Sequence, residues 1–160
     1  MSKQIFISYS RDDIGYATDL YDYLIVLKDR DPNVSIFWDI AAIESGERWK
    51  DKIVSSLASS DIFICLYSKH FFKSRFIKDV EMPAIVDRFK SGDCQLYGFL
   101  LDAYPYHDVT IGGLKLGDIQ LLGPYDDKHR ATPLNQIKSF KQDEKLNDVY
   151  LKLKSYLEIE

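Results

Sequence analysis

The sequence predicts a doubly wound α/β fold, a five-stranded parallel sheet in the order 2-1-3-4-5 with helices on both faces. Two observations carry this expectation. Short apolar runs alternate along the chain with stretches whose apolar residues recur at helical period. Three of those runs, at residues 4–9, 62–67 and 95–101, are nearly continuous in apolar residues, as strands covered on both faces must be.

The elements follow in order. Residues 4–9 form the first strand. Ile14, Ala17, Leu20, Tyr21, Leu24 and Leu27 then make one apolar stripe of a helix, with Asp12 or Asp13 placed to cap it. Residues 35–38 form the second strand, and Trp49, Ile53 and Leu57 mark the second helix. Residues 62–67 are the third strand. Residues 76–89 are the third helix, capped by Ser74, with Pro83 expected to remove a hydrogen bond and bend it. Residues 95–101 are the fourth strand. Residues 102–135 carry Pro105, Pro124, Pro133, Gly112, Gly113, Gly117 and Gly123 and read as loops around one short edge strand at 118–122. Leu146, Val149, Tyr150, Leu153, Tyr156 and Leu157 form the terminal helix. No repeat or linker divides the chain, and 160 residues with 46% hydrophobic content suit a single domain, residues 1–160, with its own core.

Bulk properties exclude several roles. The net charge is −4 and the basic residues form no long run, which disfavours nonspecific nucleic-acid binding. No apolar run is long enough to span a bilayer, and Met1-Ser2-Lys3-Gln4 lacks the apolar core of a signal peptide. Cys65 and Cys94 lack metal-ligand spacing, as do His70, His107 and His129, so no metal site is expected. Cys65 reads as a small buried hydrophobe. A reducing, cytoplasmic setting fits.

In the predicted strand order the switch point lies between strands one and three, where ligands bind beyond the carboxyl ends. The loops there are residues 8–13 and 68–75. The helix that follows the second loop holds Glu81 in Phe76-Ile77-Lys78-Asp79-Val80-Glu81-Met82, with apolar Ile77 and Ile85 four residues to either side. An acid in an apolar stripe is ion-paired, functional or at the edge of the core, and the pattern alone favours an ordinary ion pair with a lysine or arginine. The loop at residues 39–48 is longer than most strand-to-helix connections, and either covers a ligand or is a plain surface excursion. Gly112-Gly113-Leu114-Lys115-Leu116-Gly117 lacks the strand-turn-helix context of a dinucleotide fingerprint.

Several of these segments together resemble the Toll/interleukin-1 receptor (TIR) domain in its bacterial form. The opening Ile5-Phe6-Ile7-Ser8-Tyr9-Ser10-Arg11-Asp12-Asp13 is similar to the family's first motif. Phe37-Trp38-Asp39, then Ile43, Gly46 and Trp49, resembles its second strand and BB loop. Ser59-Ser60-Asp61-Ile62-Phe63-Ile64-Cys65-Leu66-Tyr67-Ser68 resembles its third strand. Ser68, Phe72, Ser74, Phe76 and Glu81 follow the bacterial form of the next motif, and Thr132-Pro133-Leu134-Asn135 with the closing helix matches the last segment.

The resemblance implies a flavodoxin-like three-layer fold and, for many members, cleavage of NAD at the nicotinamide–ribose bond. The family's catalytic glutamate falls on Glu81. Tyr9, Ser10, Arg11, Trp38, Asp39, Gly46, Trp49 and Phe76 are the substrate-binding positions it implies. NAD is then substrate, not cofactor, and the products are nicotinamide with ADP-ribose or a cyclic isomer. Many catalytic members carry tryptophan four residues before the glutamate. Here that position is Ile77, and Phe76, one residue earlier, stands in for the aromatic wall. The resemblance further implies self-association through TIR–TIR contacts, a sensor or effector protein encoded elsewhere, and a role in anti-phage defence or NAD depletion. The alternative is a non-catalytic TIR interaction module, adaptor or virulence mimic, which needs no acid at position 81. A receiver domain would need an acceptor aspartate where Tyr67-Ser68 stands, and a flavin-binding domain a phosphate-cradling loop where Ser8-Tyr9-Ser10-Arg11-Asp12 stands.

Overall fold

The structure is a computed structural model and describes residues 2–38 and 49–160. Its main sheet has five strands, β1 (Lys3–Ser8), β2 (Val34–Phe37), β3 (Ile62–Tyr67), β4 (Gln95–Leu100) and β7 (Leu121–Gly123), in the order β2-β1-β3-β4-β7 and all parallel. This is the doubly wound order expected, with the switch point between β1 and β3. Among the described residues no helix is long and apolar enough to cross a membrane.

The continuous apolar runs have a direct cause. Side chains alternate across a strand, so Ile5 and Ile7 of β1 and Ile62, Ile64 and Leu66 of β3 enter one core. Phe6, Phe63, Cys65 and Tyr67 enter the other. The first core is covered by α1 (Ile14–Arg30), through Ala17, Leu20, Leu24 and Leu27, and by α5 (Ser139–Tyr156), through Leu146, Val149 and Leu153. The second is covered by α2 (Trp49–Ser59), α3 (Lys69–Lys73) and α4 (Met82–Lys90), through Ile53, Leu57, Phe71, Ile85 and Val86. Gly98 in β4 leaves room for the Tyr67 ring: a Cβ there would sit 2.3 Å from a ring carbon.

Four expectations need correction. Neither aspartate caps α1 with its side chain. Ser10 does the capping, its Oγ accepting from the Asp12 N–H at the start of a 3-10 turn over Arg11–Asp13, while Asp13 is drawn elsewhere. The edge strand lies at Leu121–Gly123, and Leu116–Asp118 is a 3-10 turn. Residues 102–135 also hold a second sheet, the antiparallel hairpin β5 (Thr110–Ile111) and β6 (Leu114–Lys115). Gly112 and Gly113 turn it with φ of 57° and 81°, the left-handed conformation such turns require. Finally, Pro83 does not interrupt a continuous helix. Residues 75–90 are helical without a gap: a π-turn over Ile77–Glu81, the Met82 N–H bonding back to the Ile77 carbonyl, runs directly into α4 with Pro83 at its start, and the widened turn accommodates the hydrogen bond that proline cannot donate. Ser74 caps the segment as expected, its Oγ accepting from the Ile77 N–H at 3.3 Å.

Candidate functional site

A cavity of about 400 Å³ opens at the carboxyl ends of β1 and β3. The β1 end supplies Tyr9, Ser10, Arg11 and Asp12, α2 supplies Trp49, and the segment after β3 supplies His70, Lys73, Ser74, Phe76, Ile77 and Glu81. Of the nine residues singled out above, the structure gathers Tyr9, Ser10, Arg11, Trp49, Phe76 and Glu81 around this one space. Trp38 does not line it. Its ring stacks on Tyr21 at 4.5 Å and packs against the α1 side of the sheet. Asp39 and Gly46 lie outside the described residues.

Glu81 is 6% exposed. The Ser8 Oγ, at the end of β1 and fully buried, donates to its Oε1 at 3.3 Å. A buried carboxylate is expensive unless hydrogen-bonded, so this bond is part of what holds an acid here. Beneath it the Cys65 thiol has its pKa pushed up, by burial first and by the Glu81 charge second. That keeps the thiol protonated and adds no second anion. Its Sγ lies 3.7 Å from Met82 Sδ.

Aromatic rings wall the cavity. Trp49 and Phe76 meet edge to face at 5.2 Å, and the Arg11 guanidinium lies 5.5 Å from the Trp49 ring centre, within cation–π range. Two aromatic rings set at an angle, beside a guanidinium and a buried carboxyl group, suit a ligand that combines an aromatic ring with charged groups.

Sequence reasoning missed a buried polar link between the two loops. The Ser68 Oγ donates to the Asp13 carboxylate at 2.5 Å and accepts from the Phe71 N–H at 3.0 Å, capping α3. Asp13 is 6% exposed, and burial raises its carboxyl pKa despite the Ser68 bond and the nearby His70. His70 Nδ1 lies 3.4 Å from the Asp12 carboxylate. The signal for His70 was its position inside the 68–75 loop that topology had already nominated. Ser8 and Ser68 lie in the two nominated loops as well, but nothing in the sequence pointed to their partners.

The family model described as "TIR domain" matches residues 5–132. Among curated proteins, the chain is 30% identical over 110 residues to "Uncharacterized protein y4lF" of Sinorhizobium fredii. The match takes in 69% of this chain and 33% of that protein, so the chain spans about a third of the relative's length.

Proposed function

The chain belongs to the TIR domain family, and from that premise we propose that it cleaves NAD at the nicotinamide–ribose bond, with Glu81 as the catalytic residue. The observation that carries this reading is a buried glutamate, held by Ser8, in an aromatic-walled cavity at the switch point of the sheet. A buried acid with a specific partner in a cleft is a candidate for function.

The chemistry suits such a group. The nicotinamide ring is cationic while bound to ribose and leaves with the bonding pair as a neutral base, so no acid need protonate it. The barrier is the positive charge that develops on the ribosyl carbon, an oxocarbenium-like state. An ionised Glu81 stabilises that charge and receives the ribose hydroxyls, and it is placed before the reaction begins, so little reorganisation is required. One of Trp49 and Phe76 stacks against the departing ring while the other meets its edge, and Arg11 and Lys73 meet the diphosphate. Attack by water gives ADP-ribose, while attack by another atom of the same molecule gives a cyclic isomer. Self-association through TIR–TIR contacts would bring a second copy to the mouth of the cavity, and a role in anti-phage defence or NAD depletion follows if cleavage is triggered.

The experiment is NAD consumption, with products separated by chromatography, at low and high protein concentration. Nicotinamide release that rises more than linearly with protein supports an assembled enzyme. Release that is linear supports a monomeric one. No release at any concentration favours the second reading, a non-catalytic interaction module.

A further inference from the structure

The π-turn at Ile77–Glu81 poses a geometric question. In a regular α-helix, residues five apart are displaced by about 140° around the axis. Phe76 and Glu81 are five apart, yet both line the same cavity. The turn between them carries the i→i+5 bond, Met82 N–H to Ile77 carbonyl, which makes residues five apart nearly one full turn apart. We infer that one residue of this turn is a surplus that sets register, placing Phe76 as a positioning and binding residue on the Glu81 side of the helix.

The surroundings show why the surplus is tolerated. Lys78 and Asp79 are exposed and the ends of the turn, Ile77 and Glu81, are buried, so the extra residue bulges into solvent and leaves the packed side intact. Glu81 has its own anchors: Ser8 on one side and α4, packed through Met82, Ile85 and Val86, on the other. Phe76 is held from the far end, through the Ser74 cap and the edge-to-face contact with Trp49. The turn joins two independently fixed points, and its content matters less than its count. Removing one exposed residue restores a spacing of four, about 40° apart in a regular helix, and keeps both side chains facing the cavity.

A competing account is that the turn only relieves Pro83, whose ring would meet the carbonyl four residues back in a regular helix. The test therefore uses the full chain carrying Pro83→Ala, in which a regular helix is free to form. Into it are introduced, separately, a deletion of Asp79 inside the turn and a deletion of Asp87 inside the regular α4. The first should melt within about 5 °C of the Pro83→Ala parent, and the second more than about 10 °C below it, because it turns Arg88, which donates to the Leu57 and Ser60 carbonyls, and Phe89 away from the places they pack. Equal losses from the two deletions would overturn the inference whatever the chain catalyses.

The activity arm rests on the NAD reading. There the Asp79 deletion should retain NAD cleavage within about tenfold. Phe76→Leu should raise KM by the same factor with and without the deletion. Loss of that KM effect in the deleted chain would also overturn the inference, since Phe76 would no longer face the cavity. If no variant cleaves NAD, the NAD reading fails and the melting comparison still decides the register.

Discussion

The two ends of the sheet each carry a cavity, and the larger is at the wrong end for chemistry. At the amino end, a space of about 470 Å³ is lined by Asp31, Asp61, Asp93, Glu158 and Lys3, among others. None of these five side chains is buried, and two of the carboxylates serve the backbone: Asp61 accepts from the Gln4 N–H and Asp31 from the Asn33 N–H. At the carboxyl end the cavity is smaller, about 400 Å³. Yet of the six buried polar side chains among the described residues, Ser8, Ser10, Asp13, Ser68 and Glu81 all belong to this end. Only Ser60 lies elsewhere, and it bonds within its own helix end to the Ser56 carbonyl. Volume does not distinguish the two ends. Buried polarity does, because each such group costs free energy that folding alone does not require.

Substitutions can break or sharpen this contrast. The largest effect belongs to Glu81→Gln, which keeps the shape and removes the charge. NAD cleavage should fall about a thousandfold, with circular dichroism and melting temperature close to wild type. A well-folded variant with full turnover would show that the buried acid has another purpose. Next is Ser8→Ala, which removes the bond that orients Glu81. Steady-state kinetics should show kcat lower by about tenfold with KM little changed. An increase in KM alone would place Ser8 in substrate binding instead.

Asp13→Asn should act on stability and only with pH. Burial raises the Asp13 pKa from its ordinary 3.8, so the protonated form is the one folding favours. That contribution is fully present below the ordinary value and is lost as pH rises through the raised one. Asparagine can accept the same Ser68 bond without a charge. The variant should therefore gain stability relative to wild type as pH rises from about 3 to about 6, read by denaturant unfolding. A gap that grows toward acid pH instead would contradict the assignment. The smallest effect belongs to the other end: Asp31→Ala should cost under about 1 kcal/mol and leave turnover untouched.

The sheet was legible in the sequence where strands are buried on both faces. β1, β3 and β4 each carry a nearly continuous apolar run, alternation with helices pointed to the doubly wound sheet, and the order was the common one for five strands. The region after β4 was not legible, because β5 and β6 have two residues each and β7 three. Two residues cannot display a period, and only Gly112-Gly113 marked the hairpin. The π-turn left a subtler trace. Phe76 stands five residues from Glu81, not the four that the resemblance implies for an aromatic there, and a register surplus of one carries no compositional signal. For the site, topology alone nominated both loops and Glu81, and the resemblance supplied the ring of neighbours. Ser8, Asp13 and Ser68 lie within those loops, but their contacts stayed hidden because they join residues 73 and 55 apart.

On the proposed NAD reading, the carboxyl-end cavity takes NAD and the amino-end cavity does not. Each is lined by one diagnostic isoleucine, Ile77 and Ile62 respectively. NAD titrated into methyl-labelled Glu81→Gln protein, which should not consume it, reports on both by NMR. The account predicts a saturable shift of the Ile77 methyl with Ile62 unmoved. A saturable shift of Ile62 with Ile77 unmoved would contradict it.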